Sequence, residues 1–291
     1  MEKSVSLITV SYHTGPVLFD MLKAALAQEA VKEIFLVDNG NPLEVLKRLK
    51  AMEATEPRLN IIAGQGNVGF AQGNNLGAKQ ASGDYLLFLN PDSIPEPGFV
   101  AALVGQSQKL PHPHILSCRL LDGEGREQSG SRRAILTPMN ALVESFSLHK
   151  FFPSLEKHRF KWHEEALPKD VQEVPAVSGA VILIPRQDYF AIGGFDDRYF
   201  LHAEDIDICL AMARAGGRVY FTPHLALKHI GATSKAPSSF VEWQKAKSFI
   251  RYFHKNYSHH YPAPLLWLVD VGILGRFGVG WVISKLGPKS A

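Results

Sequence analysis

The sequence predicts an α/β domain with a mostly parallel central sheet flanked by helices, followed by a helical C-terminal extension. Three observations predict it. Short apolar runs alternate with helical patterns through the first ninety residues, polar and acidic residues collect where those runs end, and the chain closes on a basic, apolar tail. Alternation of this kind builds βαβ units, whose parallel strands are covered on both faces. With 291 residues, 46% of them hydrophobic and 20% charged, the chain is long and apolar enough for such a core.

The elements follow in order. Val5–Tyr12 reads as a strand and Val17–Gln28 as a helix. Glu33–Val37 and Leu43–Glu53 repeat the pair, as do Leu59–Ala63 and Phe70–Ala81, and Tyr85–Leu89 closes the series. Residues 105–175 carry scattered Pro, Gly and charge and read as long loops with some helix. Val177–Ile184 is a strand, and a helix from about Asp205 to Ala215 is stopped by Gly216 and Gly217. Arg218–Thr222 is a short strand, and Phe240–Leu286 is helical.

In open parallel sheets, ligands bind at the carboxyl ends of the strands. Those ends read Ser11-Tyr12-His13, Asp38-Asn39-Gly40, Gly64-Gln65-Gly66-Asn67 and Asn90-Pro91-Asp92. Gly64–Gly69 matches a dinucleotide-binding GxGxxG, which would make the chain an oxidoreductase. That motif wants an acid at the end of the next strand, whereas Asp84 lies before it. Gly69, Gly73 and Gly77 recur every four residues and line one helix face. Close packing on the sheet explains much of this; the bare backbone also lets the Asn67, Asn74 and Asn75 amides approach a nucleotide.

Three groups could carry chemistry. An apolar strand delivers Asp92 to the sheet edge, which suits a ligand for Mg²⁺ or Mn²⁺ completed by a diphosphate, although Asn-Pro-Asp-Ser is also a plain turn. Glu204, Asp205 and Asp207 stand at a helix start, where carboxylates cap the helix but are also rigidly aimed, as a general base must be. His229, beyond the last short strand, could add an imidazole ligand.

Taken in order, Val37-Asp38-Asn39, Asn67–Asn75, Leu89–Asp92, Gly193-Gly194-Phe195-Asp196, Glu204–Asp207 and His229 resemble the family 2 inverting glycosyltransferases of the GT-A fold, in particular their rhamnosyltransferase-like branch. The resemblance spans roughly residues 5–235. It implies a GT-A catalytic domain over 1–238 and an extension over 239–291, and an inverting displacement at the anomeric carbon of a nucleotide-diphosphate sugar. Asp205 would be the base, with Asp92 and His229 holding Mg²⁺ or Mn²⁺. Ser11, Tyr12, Asp38, Asn39, Asn67, Gly69, Asn74, Asn75 and Asn90 would border the nucleotide and donor, Asp38 accepting from the base. Ser178 and Gly179 would line the donor-sugar or acceptor pocket. The favoured donor is deoxythymidine-diphosphate rhamnose, with a uridine-diphosphate hexose next; a non-catalytic nucleotide- or glycan-binding descendant is the alternative from another class. Two positions depart from the family pattern: His13 replaces a common Asn, and Ala211 a common Arg for which Arg214 or Arg218 could substitute.

From Arg218 onward ten Lys or Arg face two acids, a local charge of +8 that leaves −5 for residues 1–217 out of +3 overall. No nucleic-acid module accompanies these charges. Pro264–Leu286 is apolar, but Asp270, Arg276 and its glycines weaken it as a membrane span. With Trp267, Trp281, Lys245, Lys247, Arg251 and Lys255 it reads as an anchor on an anionic membrane surface, or as a helix pair completing the core or a homodimer interface. A surface anchor makes a polyprenyl-diphosphate-linked glycan the natural acceptor. Cys118 and Cys209 read as buried small hydrophobes, and the N-terminus runs straight into a strand. A cytoplasmic protein, peripheral on the inner membrane where the tail meets lipid, is therefore expected.

Overall fold

A computed structural model describes residues 3–128, 130–145, 150–151, 154, 166–231 and 238–286. β1 (Val5–Ser11) is apolar or small throughout and buried along its whole length, as a strand covered on both faces must be. It pairs in parallel with β2 (Val31–Asp38) on one side and β4 (Tyr85–Leu89) on the other, and β3 (Leu59–Ile62) extends the sheet beyond β2. The crossovers are α1 (Val17–Leu26), α2 (Leu43–Glu53) and α3 (Phe70–Gln80). Alternation along β1 sends Leu7 into a cluster with Leu18, Met21 and Leu22 of α1, and Ile8 into a second cluster with Phe35 and Ala78 on the opposite face.

The sheet continues from β4 through β10 (Val181–Pro185), β6 (His114–Leu121) and β11 (Arg218–His229) to β5 (Ser93–Ile94), while β8 (Gln172–Glu173) pairs with β11. β10 runs antiparallel to β4 and β6, and β6 runs parallel to β11. β1, β2, β4, β6 and β11 thus end at one edge, and β5 folds back so that Ser93 stands opposite His229. A separate pair joins β7 (Arg132–Arg133) to β9 (Ala176–Val177). Around the sheet lie α4 (Phe99–Ser107), α5 (Pro138–Ser145), α6 (Arg186–Ala191) and α7 (Glu204–Arg214).

Two sequence expectations are corrected. The stretch 105–175 holds more than loops and some helix, since β6 is an inner strand whose polar residues find partners: the Ser117 hydroxyl donates to the Val181 carbonyl at 2.8 Å. β11 also runs to His229 rather than stopping at Thr222, its register shifting between Thr222 and Ala226 around Pro223.

α8 (Ser238–Tyr257) and α9 (Ala263–Leu286) form a helical hairpin packed on the second cluster through Tyr252, Phe253, Leu266 and Val269. Among the described residues no helix is long and apolar enough to cross a membrane. Cys118 and Cys209 are free and buried.

Candidate active site

The glycines of α3 explain how the edge is drawn together. A Cβ on Gly77 would lie 2.7 Å from Ile8 Cγ2, and one on Gly73 would lie 2.9 Å from Val10 Cγ2, so only bare backbone lets α3 rest on β1. At the N-cap, Gly69 has φ +86, and a Cβ there would meet the Phe200 carbonyl oxygen at 2.5 Å. Phe70 N–H donates to that carbonyl at 2.7 Å, and the Asn39 amide donates to the Gly69 carbonyl at 2.9 Å. One turn thereby ties β2, α3 and the segment leading into α7.

These elements enclose a cleft of about 440 Å³ whose lining includes Tyr12, Asn39, Asn67, Gly69, Asn90, Asp92, His202 and His229. Asp92 is buried, with His229 Nε2 3.3 Å from its Oδ1. The Asn90 amide contacts the same nitrogen at 3.2 Å. On the other side of the ring, Nδ1 lies 2.8 Å from Gln128 Oε1, while Gln128 Nε2 donates to the His229 carbonyl at 2.7 Å. The second bond fixes the Gln128 amide, so its Oε1 can only accept from an Nδ1–H. Nε2, left as the acceptor, faces Asp92 and takes a hydrogen bond from the Asn90 amide, which a bound ion would replace. One carboxylate and one imidazole of fixed tautomer, open to further oxygen donors, fit a divalent ion bound jointly with a diphosphate.

Among the described residues a different cluster, His112, His114 and Asp188, brings three ligating atoms within 4.8 Å of one another. It lies at the amino-terminal edge of β6, far from the cleft. His114 accepts from the Ser107 hydroxyl at Nε2 (2.6 Å) and donates from Nδ1 to the Pro111 carbonyl (3.1 Å), so neither nitrogen is spare. Burial pushes its imidazole down to about 4. This cluster is built as internal bonding rather than as an ion cage.

Asp205 stands at the start of α7, beyond two non-glycine residues with positive φ, His202 (+67) and Ala203 (+68). Each such residue costs on the order of 1 kcal/mol, strain of a kind that gathers where a side chain must be aimed. Asp205 Oδ2 accepts from Gly179 N–H at 3.1 Å and pairs with Arg133; Oδ1 accepts from Ile206 N–H at 2.8 Å. Arg133 arrives there because β7 pairs with β9, immediately before Ser178. Asp205 does not itself line the cleft but packs behind Gly179, next to the lining residue Phe70: a Cβ on Gly179 would lie 3.2 Å from Asp205 Cβ and 3.7 Å from Phe70. Its neighbour Glu204 is buried, and burial first, then the Asp205 charge, push its carboxyl up to about 8. Two adjacent carboxyls thus sit in unlike surroundings.

Other residues singled out in the sequence occupy supporting positions. Asp38 is buried, and its Oδ1 accepts from the Asn41 backbone and side-chain amides at 2.9 and 2.6 Å. The Ser11 hydroxyl bonds Thr14 and Asn41. Asn74 donates to the Phe70 carbonyl, and Ser178 Oγ accepts from Ala180 N–H. Asn75 faces a second cleft, where its amide binds Phe195 N–H, the Phe195 carbonyl and the Tyr189 hydroxyl. Asn74 and Asn75 therefore brace the scaffold and do not line the main cleft.

Neither Arg214 nor Arg218 fills in for the arginine missing at Ala211. Arg214 binds Asn256, and Arg218 pairs with Glu173. Beside Ala211 the cation is Lys255 of α8, 2.6 Å from Asp207 and 2.8 Å from Asp196. Gln128, Arg133 and Lys255 are the contributors that local sequence did not reveal, since each meets its partner 48 or more residues away.

Residues 6–167, more than half of the chain, match the model of glycosyl transferase family 2. The chain belongs to that family. It is 25% identical over 288 residues to an N-acetylglucosaminyl-diphospho-decaprenol L-rhamnosyltransferase of Mycobacterium tuberculosis, covering 92% of this chain and 89% of that one. It is 26% identical to the rhamnosyltransferase WbbL of Escherichia coli K12, covering 75% and 80%. A structure of GalNAc-T7 with UDP, GalNAc and Mn²⁺ shares the fold at a TM-score of 0.64 and 17% identity, over 87% of this chain and 48% of that one. A mannosyltransferase of Pyrobaculum calidifontis with GDP-Man and Mn²⁺ gives 0.59 and 15%, over 100% and 77%. The protein is thus a GT-A glycosyltransferase, and the oxidoreductase reading of Gly64–Gly69 is set aside.

Proposed function

We propose that this family 2 glycosyltransferase moves rhamnose from a nucleoside-diphosphate donor to a glycan carried on a polyprenyl diphosphate, inverting the anomeric configuration. The observation that carries the reading is the pairing of a buried Asp92–His229 site, held in one tautomer by Gln128, with a rigidly aimed Asp205 at the same sheet edge. The names of the two rhamnosyltransferase relatives support the sugar, and that of the mycobacterial relative the lipid-linked acceptor.

The residues divide the work. Asp92 and His229 would hold Mg²⁺ or Mn²⁺, which when bound neutralises charge on the departing nucleoside diphosphate. Tyr12 and Asn39 line the nucleotide end of the cleft, and Asn67 and Asn90 offer amides to the donor. Ser11 and Asp38 stiffen the floor beneath the nucleoside. Asp205 accepts the proton of the acceptor hydroxyl as that oxygen attacks the anomeric carbon from the face opposite the leaving group. Gly179 N–H keeps the carboxylate pointed at that face.

The extension brings the enzyme to its acceptor. Trp267, Leu268, Val271 and Leu274 of α9 are between 41% and 65% exposed and form an apolar stripe, while Lys247 and Arg251 of α8 are exposed cations. Together they suit an anionic lipid surface.

The test is release of nucleoside diphosphate across a donor panel with Mn²⁺ or Mg²⁺. Slow hydrolysis of deoxythymidine-diphosphate rhamnose, lost in Asp92→Ala, is expected. A panel in which no donor is consumed or bound overturns the reading; a uridine-diphosphate hexose consumed instead overturns the choice of sugar.

A further inference from the structure

Next to the main cleft a smaller groove of about 200 Å³ runs between α5, α8 and α9. Leu136, Phe249, Ile273 and Phe277 make its walls apolar, and Lys245 and Arg276 are its two cations. Glu242 lines both groove and cleft, so the two are neighbours. The cations are placed for a ligand rather than for each other. Lys245 reaches Glu242 at 3.8 Å, long for a salt bridge, and Arg276 is exposed.

Arg133 stays outside the groove: its guanidinium pairs with Asp205, while three residues further along the chain Leu136 enters the groove wall. The groove thus sets two cations beside apolar walls, next to the cleft, an arrangement that matches an amphiphile with an anionic head and a hydrocarbon chain.

We propose that this groove is the acceptor's lipid-diphosphate subsite, in which Lys245 and Arg276 receive the diphosphate and the apolar walls receive the first isoprene units. The proposal rests on the lipid-linked acceptor argued above.

The test is calorimetric titration of the full chain with geranylgeranyl diphosphate in chelator, without donor or metal, beside inorganic diphosphate and geranylgeraniol. The expected result is affinity for geranylgeranyl diphosphate at least about tenfold above either fragment, since charged hydrogen bonds and apolar burial contribute together. Lys245→Gln and Phe249→Ser each weaken it by about tenfold. Lys47→Gln, the same charge change on an exposed position of α2, leaves it unchanged. Inorganic diphosphate binding as tightly as the prenyl compound, or Lys245→Gln matching Lys47→Gln, overturns the subsite. Because no donor is present, the outcome is separate from donor hydrolysis: intact hydrolysis without prenyl-diphosphate binding sinks this inference alone, whereas binding without any donor consumption sinks the transferase reading and leaves the groove a prenyl-diphosphate site that is no longer an acceptor subsite.

Discussion

Gln128 and His229 exchange two hydrogen bonds across 101 residues of sequence, Nδ1–H to Oε1 at 2.8 Å and side-chain amide to backbone carbonyl at 2.7 Å. The pair fixes both the tautomer and the plane of the imidazole. Gln128→Ala should weaken Mn²⁺ binding by about 10- to 100-fold, the usual effect of losing an outer-shell partner. Its thermal stability should change little. Titration calorimetry checks this, and unchanged Mn²⁺ affinity would remove His229 from the metal site.

Gly69→Ala should be severe. The new Cβ would sit 2.5 Å from the Phe200 carbonyl oxygen at a residue with φ +86. Left-handed strain and overpacking together cost about 2–5 kcal/mol. Denaturant unfolding should show that loss, together with weaker nucleotide binding as the turn shifts; a stability within about 0.5 kcal/mol of wild type would show that the turn is softer than drawn.

Glu204 predicts a pH dependence of stability. Folded, its carboxyl holds a proton to about 8, whereas the unfolded group releases it near 4.5. Between those values the folded state binds more protons, so stability falls as pH rises through the window, by at most about 1.4 kcal/mol per unit. Glu204→Gln cannot ionise and should flatten this slope. Thermal melts from pH 5 to above pH 8 test it, and parallel slopes for the two proteins would show that Glu204 does not titrate there.

Lys255 joins α8 to the catalytic core through Asp207 and Asp196. Burial alone would raise the Asp196 carboxyl, but hydrogen bonds from Arg198 and Lys255 outweigh it and hold it well below the usual carboxylate range. Lys255→Met should cost about 2–3 kcal/mol, less than a fully buried pair because the lysine is 28% exposed. Chemical denaturation measures it. Restoration by adding Ala211→Arg would show that the cation, rather than its helix, is what that cleft requires.

The first half of the sheet is legible because β1 to β4 are apolar runs with clear turns between them. β6 is not, since Pro111 and Pro113 precede it and His114, Ser117 and Arg119 interrupt it. Their bonds to Ser107 and Val181 exist only once the chain has folded. Pro223 hides the second half of β11, and with it the way His229 is carried to Asp92. Asp92 and Asp205 are readable as acids at a strand end and a helix start. Gln128 and Arg133 carry no local signal, because their partners lie 101 and 72 residues away. Asn75 shows the opposite limit: its neighbourhood reads as nucleotide-binding, yet its amide is spent on Tyr189 and Phe195.

The most direct test of the whole account is transfer of labelled rhamnose from deoxythymidine-diphosphate rhamnose to a prenyl-diphosphate-linked N-acetylglucosamine, comparing wild type with Asp205→Asn. If Asp205 is the base, the variant should lose about 10²- to 10⁴-fold in kcat while its donor affinity stays within a few-fold of wild type. An Asp205→Asn enzyme that transfers at close to the wild-type rate would contradict the assignment of the base, and with it the mechanism built on this cleft.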